Sequence, residues 1–154
     1  MTVDDINGLR RILQGTKTIA VVGLSANWWR PSFFAAKYMQ EHGYRVIPVN
    51  PAYTEVLGEK CYARLADIPE KIDMVDCFRK AEEIGDIAEQ AIAIGAKCLW
   101  MQLGVVNQAA ADVAANAGLD VVMDRCVKIE HGRLFGGLNF AGVNTKVISA
   151  KRSA

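Results

Sequence analysis

Two arginines stand where a ligand phosphate can be met. Arg30 lies in the run Gly23-Leu24-Ser25-Ala26-Asn27-Trp28-Trp29-Arg30-Pro31-Ser32, and Arg79 follows Val75-Asp76-Cys77-Phe78. A guanidinium presents a planar pair of donors that matches the edge of a phosphate. Ser25 and Ser32 can add hydroxyl donors, and Pro31-Ser32 reads as a helix start, where unpaired N–H groups carry partial positive charge. An anion site follows from that grouping. The same residues also fit a plainer role, in which Ser32 caps the helix and Arg30 is solvated. Trp28 and Trp29 can wall a pocket, stack on a base or serve a protein contact.

A second grouping, Asp124, Cys126 and His131, has the residue types for thiol chemistry. A cysteine and histidine brought together can form a thiolate pair that attacks an acyl group; the plainer expectation is that Cys126 is structural or pocket-lining. The four cysteines, Cys61, Cys77, Cys98 and Cys126, form no Cys-x-x-Cys pair, and His42 and His131 lie at no metal-finger spacing from them. A structural zinc site is therefore not expected. Cys77 and Cys98 sit inside apolar runs and read as small buried hydrophobes.

The elements that must carry these groups show in the hydrophobic pattern. Apolar residues at 6, 9, 12 and 13 predict a short leading helix over 6–13. Thr18–Gly23, Arg45–Asn50, Met74–Phe78, Lys97–Met101 and Leu119–Met123 are short runs rich in apolar and β-branched residues, read as strands buried on both faces. Between them, helices are predicted after Pro31 with a stop at Gly43, over Ala81–Ile92 with a stop at Gly95, and from an Asn107 cap to Gly118. Pro48 cannot donate to a ladder and points to a bulge or a sheet edge. The stretch 51–72 shows little periodicity, with at most one helical turn near Ala63–Ile68.

Strands joined by crossover helices predict an α/β, three-layered, doubly wound and mostly parallel five-stranded sheet of Rossmann-like type, in order 3-2-1-4-5. Ligands are then expected over the carboxyl ends, at the switch point beside the first strand. From Glu130 onward no strong period is visible, although Lys146-Val147-Ile148 can form an extra edge strand. The chain reads as a single domain over 1–154, with the core over 18–130 and a tail over 131–154.

Composition narrows the function. The 154 residues are 51% apolar and 23% charged, an ordinary globular balance, and a formal charge of +1 supplies no basic field for nucleic acid or anionic lipid. No apolar run reaches the roughly 20 residues of a membrane helix. Met1-Thr2-Val3-Asp4-Asp5 is acidic where a signal peptide would be basic, so the expected location is cytoplasmic. The turn after the first strand lacks the second and third glycines of the dinucleotide fingerprint. The second strand ends in Asn50 rather than the acidic residue that holds an NAD ribose. The remaining strand ends place Asn50-Pro51, Phe78-Arg79, Gln102-Leu103-Gly104 and Asp124-Arg125-Cys126 along one edge.

Taken in order, these motifs resemble the small bacterial CoA-binding domain proteins. The residues that carry the likeness are Gly23-Leu24-Ser25, Arg30-Pro31-Ser32, Val46-Ile47-Pro48-Val49-Asn50-Pro51, Leu57-Gly58, Val75–Arg79, Trp100–Gly104 and Met123–Cys126. The likeness spans roughly residues 10 to 130, most of a domain of ordinary size. It is similar in kind to the CoA-binding half of the succinyl-CoA synthetase α subunit and of ADP-forming acyl-CoA synthetases. It implies a CoA or acyl-CoA ligand held by its nucleotide part. The implied roles are diphosphate binding by Gly23, Ser25, Arg30 and Ser32, and a pocket wall from Asn50 and Pro51. Phe78 and Arg79 would then lie near the adenosine and its phosphates, with Gln102 and Gly104 on the opposite side. It implies a binding protein without complete catalytic machinery, since the phosphorylated histidine of the synthetases belongs to a second domain. An NAD(P)-using oxidoreductase and a thiol enzyme acting through Cys126 are the competing classes.

Overall fold

In a computed structural model, which describes residues 1–136, the strand β1 (Thr18–Val22) lies inside the main sheet, with a strand on each side. Its side chains alternate between two cores, as a period of two requires. Ile19 and Val21 meet Leu9, Leu13, Ala35 and Met39 on one face, while Ala20 meets Ile84, Ala88 and Ala91 on the other. The first face is covered by α1 (Ile6–Gly15), α2 (Pro31–Glu41) and α5 (Val127–Phe135), the second by α3 (Ile84–Ala93) and α4 (Gln108–Asn116). The predicted three layers are thus present.

The other strands are β2 (Arg45–Val49), a small antiparallel hairpin of β3 (Glu55–Val56) and β4 (Glu59–Lys60), then β5 (Met74–Cys77), β6 (Cys98–Met101) and β7 (Asp120–Val122). The main sheet is parallel throughout, in the order β2-β1-β5-β6-β7. Counted over its own five strands this is 2-1-3-4-5, which corrects the expected 3-2-1-4-5. Apolar periodicity cannot separate the two orders, because a strand buried on both faces looks alike whatever its neighbours. Pro48 does separate them. Its carbonyl accepts from the Tyr62 amide at 3.0 Å, on the side away from β1, so the missing N–H also faces outward. That arrangement places β2 at the edge of the main sheet, as the proline suggests. The correction has a consequence for the site: the neighbour of β1 across the switch point is β5, which carries Phe78 and Arg79 at its exit.

Three further segments differ from the sequence reading. The stretch of little periodicity after Pro51 holds the hairpin, turned at Leu57 and Gly58 with φ of 55° and 76°, while its single 3-10 turn at Leu65–Asp67 falls where one helical turn is expected. The leading strand-like arm is new: Val3 donates to the Val121 carbonyl at 2.8 Å, alongside a Thr2–Val121 bridge. The largest difference is α5, which crosses the point where the tail was placed. Its buried residues are Val127, Glu130, His131, Arg133 and Leu134. Helical spacing is present, but polar residues occupy the inward positions and hide it from an apolar count. Their charges are paired: Glu130 accepts from Arg125 at 3.2 Å and from Arg133 at 2.6 Å, and Arg125 also pairs with Asp4. The expected edge strand at Lys146–Ile148 lies outside the described residues. Among the described residues no helix is long and apolar enough to cross a membrane.

One carboxyl group sits inside the sheet itself. Asp76, in β5, is 1% exposed, and its Oδ1 accepts from the Gln102 amide. Loss of hydration disfavours the charged form and pushes Asp76 from its ordinary value of 3.8 up to about 7, although the Gln102 contact opposes the rise. Below 3.8 the group is protonated in both folded and unfolded chains. As pH rises toward about 7 only the unfolded chain releases the proton, so this group's contribution to stability is lost over that interval. Asp76→Asn is expected to abolish that loss. Denaturant midpoints of variant and parent, compared between about pH 4 and about pH 8, should diverge in favour of the variant as pH rises, whereas a constant difference would contradict the assignment.

Candidate functional site

The carboxyl ends of β1, β2, β5 and β6 surround a cleft of about 880 Å³, within the usual range for a small-molecule site. Its closest approach is at the exit of β1. Gly23 has φ of 87° and donates to the Val49 carbonyl at 2.8 Å. A Cβ there would collide with the Phe78 carbonyl oxygen and lie 2.7 Å from Arg79 Cδ. Glycine is therefore demanded twice, by its backbone angle and by the neighbouring β5 exit.

The turn that follows is held by its own hydroxyls. Ser32 Oγ accepts from the Ser25 amide at 3.0 Å, and Ser25 Oγ accepts from the Asn27 amide at 3.1 Å. Each hydroxyl proton remains able to donate. Ser32 is not the cap of α2: the cap residue is Arg30, which makes no side-chain cap bond, and Pro31 occupies the first turn. The start of α2 thus faces the cleft without a capping side chain, beside the exposed Arg30. Asn50 braces the same turn from β2. Its Nδ2 donates to the Leu24 carbonyl at 3.1 Å and its Oδ1 accepts from the Ala52 amide at 2.9 Å.

From β5, Phe78 is half-buried, and Arg79 pairs with Glu83 at 2.7 Å. From β6, Gln102 is 3% exposed, above the buried Asp76 to which it donates. The cleft therefore has two characters. Arg30, Arg79 and Lys80 concentrate positive charge, while Phe78, Leu103, Val105, Cys126 and Ile129 supply an apolar side. A phosphate-bearing ligand with an apolar extension matches both.

Of the site residues expected from sequence, Gly23, Ser25, Arg30, Ser32, Asn50, Phe78, Arg79 and Gln102 line this one cleft. Pro51 lines a smaller adjoining pocket of about 260 Å³ that shares Gly23, Asn50 and Arg79. Gly104 lines neither: with φ of 85°, it donates its amide to Asp124 Oδ1 at 2.7 Å and so fixes the loop that carries Leu103 and Val105. Asn27, Tyr53, Lys80, Glu83, Leu103, Val105 and Ile129 were missed. Lys80 and Leu103 adjoin residues already singled out. Tyr53 comes from the stretch 51–72 without legible periodicity, and Ile129 from α5, the helix that the apolar pattern does not reveal. The tryptophans stand apart from the cleft lining: Trp28 and Trp29 are 66% and 58% exposed and meet edge to face at 5.9 Å.

Cys126 and His131 do not form a pair in the cleft. Cys126 lines it at the start of α5, where burial pushes the thiol up, against thiolate formation. His131 faces a separate cavity at the amino ends of β1 and β2, where its Nδ1 lies 3.0 Å from the Tyr38 hydroxyl and its ring meets His42 and Tyr44.

Known proteins share both the sequence pattern and the architecture. The Bacillus subtilis protein YneT is 42% identical over 123 residues, covering 80% of this chain and 91% of that protein. A hypothetical protein from Pyrococcus horikoshii superposes with a TM-score of 0.84 and 46% identity, over 86% of this chain and 94% of the other. An ADP-forming acetate–CoA ligase of Archaeoglobus fulgidus is 29% identical over 83 residues, 53% of this chain but only 12% of the ligase. Residues 17–132, which carry every strand of the main sheet and the whole cleft lining, match the family described as CoA binding domain, and to that family the chain belongs.

Proposed function

We propose that this chain binds CoA or an acyl-CoA as a stand-alone binding protein, holding the nucleotide part over the carboxyl ends of β1 and β5. The observation that carries this reading is the pairing of three cations and an uncapped helix start with an apolar wall in one cleft, at the switch point of a CoA-binding fold. In this reading Gly23 admits the phosphates close to the backbone, while Ser25, Ser32 and Arg30 hold the diphosphate. Arg79 meets a second phosphate and Phe78 packs beside the adenosine. Asn50 and Pro51 keep the wall in shape, Gln102 lies on the opposite side, and Gly104 shapes the loop behind it. The pantetheine arm then runs toward Leu103, Val105 and Ile129.

Two observations favour CoA over NAD(P). Asn50, at the position where a dinucleotide fold places the ribose-binding acid, has both its amide oxygen and nitrogen engaged within the turn. Ser25 takes the place of the second fingerprint glycine. No catalytic group is assigned, since the thiol nearest the ligand is held protonated and separated from the histidine.

A ligand bound only to the folded state raises its stability as RT ln(1 + [L]/Kd). CoA is therefore expected to raise the melting temperature, and NAD or NADP at equal concentration to leave it unchanged; a larger shift with NAD would sink the CoA reading.

Charge-assisted contacts to phosphate are worth about 1.5–3 kcal/mol, so Arg30→Ala and Arg79→Ala should each weaken CoA binding about tenfold to a hundredfold. Lysine should restore only part, lacking the planar fork. Titration calorimetry with CoA and dephospho-CoA identifies the arginine that meets the sugar phosphate, because its alanine variant loses the preference between the two. Parent-like binding by both variants would place the phosphates elsewhere.

Cys126→Ser should leave CoA affinity within about twofold of the parent, as expected for a wall residue rather than a nucleophile. Assays with acetyl-CoA before and after the substitution test this, and a thioesterase or transfer activity that disappears with the thiol would overturn it.

A further inference from the structure

The charge pattern of the cleft contains one opposing member. Glu83 is the single carboxylate among the described residues that line it, and it stands among Arg30, Arg79 and Lys80. Its Oε1 accepts from Arg79 Nη2 at 2.7 Å and its Oε2 accepts from the Lys80 amide at 3.2 Å. The carboxylate is thus tied both to the cation and to the 3-10 turn Ala81–Glu83 that leads into α3. The Arg79 stem passes the exit of β1, with its Cδ 2.7 Å from where a Cβ on Gly23 would stand, so the residue belongs to the cleft as well as to the Glu83 pair.

We propose that Glu83 is a specificity-determining residue that competes with the ligand's phosphate for Arg79, so that only a strongly charged phosphate group displaces it. The inference rests on the CoA reading above and deepens it. The pair suits such an exchange. The side chains of Arg79 and Glu83 are 43% and 38% exposed, so water screens their attraction and the bond is cheap to break. A phosphate dianion offers Arg79 more charge and a bidentate edge, whereas a carboxylate ligand offers no more than Glu83 already supplies. The glutamate thereby filters ligands by anion type: phosphate esters gain from Arg79, and simple carboxylates do not. The Arg79 hydrogen bond holds the Glu83 carboxyl below the ordinary carboxylate range, so the competitor is charged near neutral pH, where the ligand phosphates are charged as well.

The opposite role, in which Glu83 holds Arg79 ready for the phosphate, predicts the opposite sign. Glu83→Gln keeps an oxygen for the Lys80 amide and removes only the charge, at an exposed position where folding is insensitive to it. Titration calorimetry at fixed ionic strength with CoA and with adenosine 3′,5′-bisphosphate should show the E83Q variant binding each about threefold to fivefold more tightly than the parent. In the Arg79→Ala background the same substitution should give no gain, since the competed cation is gone. Unchanged or weaker binding by E83Q, or an equal gain without Arg79, overturns the proposal while the CoA reading stands. A parent that binds neither ligand overturns both.

Discussion

The exits of β1 and β5 can close on each other only because position 23 carries no side chain. A Cβ there would run into the Phe78 carbonyl and press on the Arg79 stem. The parallel pairing of Val22 with Cys77 brings the two exits level, and the Phe78 amide donates to the Val22 carbonyl at 2.9 Å just beyond it. From this contact follow the place of Arg79 over the turn, the position of Phe78 at the cleft wall and the direction in which the chain leaves toward α2. A larger residue at 23 would have to separate the strands at the point where a doubly wound sheet opens its crevice.

Around that contact the polar groups are of two kinds. In the turn, Ser25 and Ser32 spend an acceptor on nearby backbone and keep a hydroxyl proton to give, while Asn50 engages both its amide oxygen and nitrogen with backbone, and together they brace the turn. The buried ones, Asp76 with Gln102 and Glu130 with Arg125 and Arg133, lie in or against the sheet and are satisfied by one another. Burying such groups is costly unless they are paired, and two of these pairs, Asp76 with Gln102 and Glu130 with Arg125, join different parts of the fold. Gln102 and Asp76 tie β6 to β5 beneath the cleft floor. Arg125 ties the exit of β7 to α5 and to the leading arm through Asp4.

Sequence reasoning reached the strands because each is a short, continuous apolar run, and it reached most of the cleft because a parallel α/β sheet puts its ligand groups at strand exits. It did not reach the strand order. Interior strands carry no mark of their neighbours, and the one mark available, Pro48, fits a bulge as well as a sheet edge, so it does not by itself overturn an order with β2 inside. Nor did it reach α5, whose inward face is built from Glu130, His131 and Arg133, residues that an apolar count assigns to a surface. Tyr53 and Ile129 went unseen with the segments that hold them. Glu83 is illegible in the sequence for a different reason: a lone carboxylate does not fit an anion-site pattern, and only its 2.7 Å contact with Arg79 ties it to the cleft.

Pro48 and the leading arm bear on how this sheet meets other molecules. At the β2 edge, Tyr62 fills the outward hydrogen-bonding positions beside Val49, and the proline offers no donor next to it. At the β7 edge, Thr2 and Val3 occupy Val121 in the same way. Among the described residues, neither margin presents a long free row of amides and carbonyls, the template on which open sheets recruit strands from other chains. At these points the chain's own backbone takes the hydrogen-bonding positions that a strand from another molecule would need.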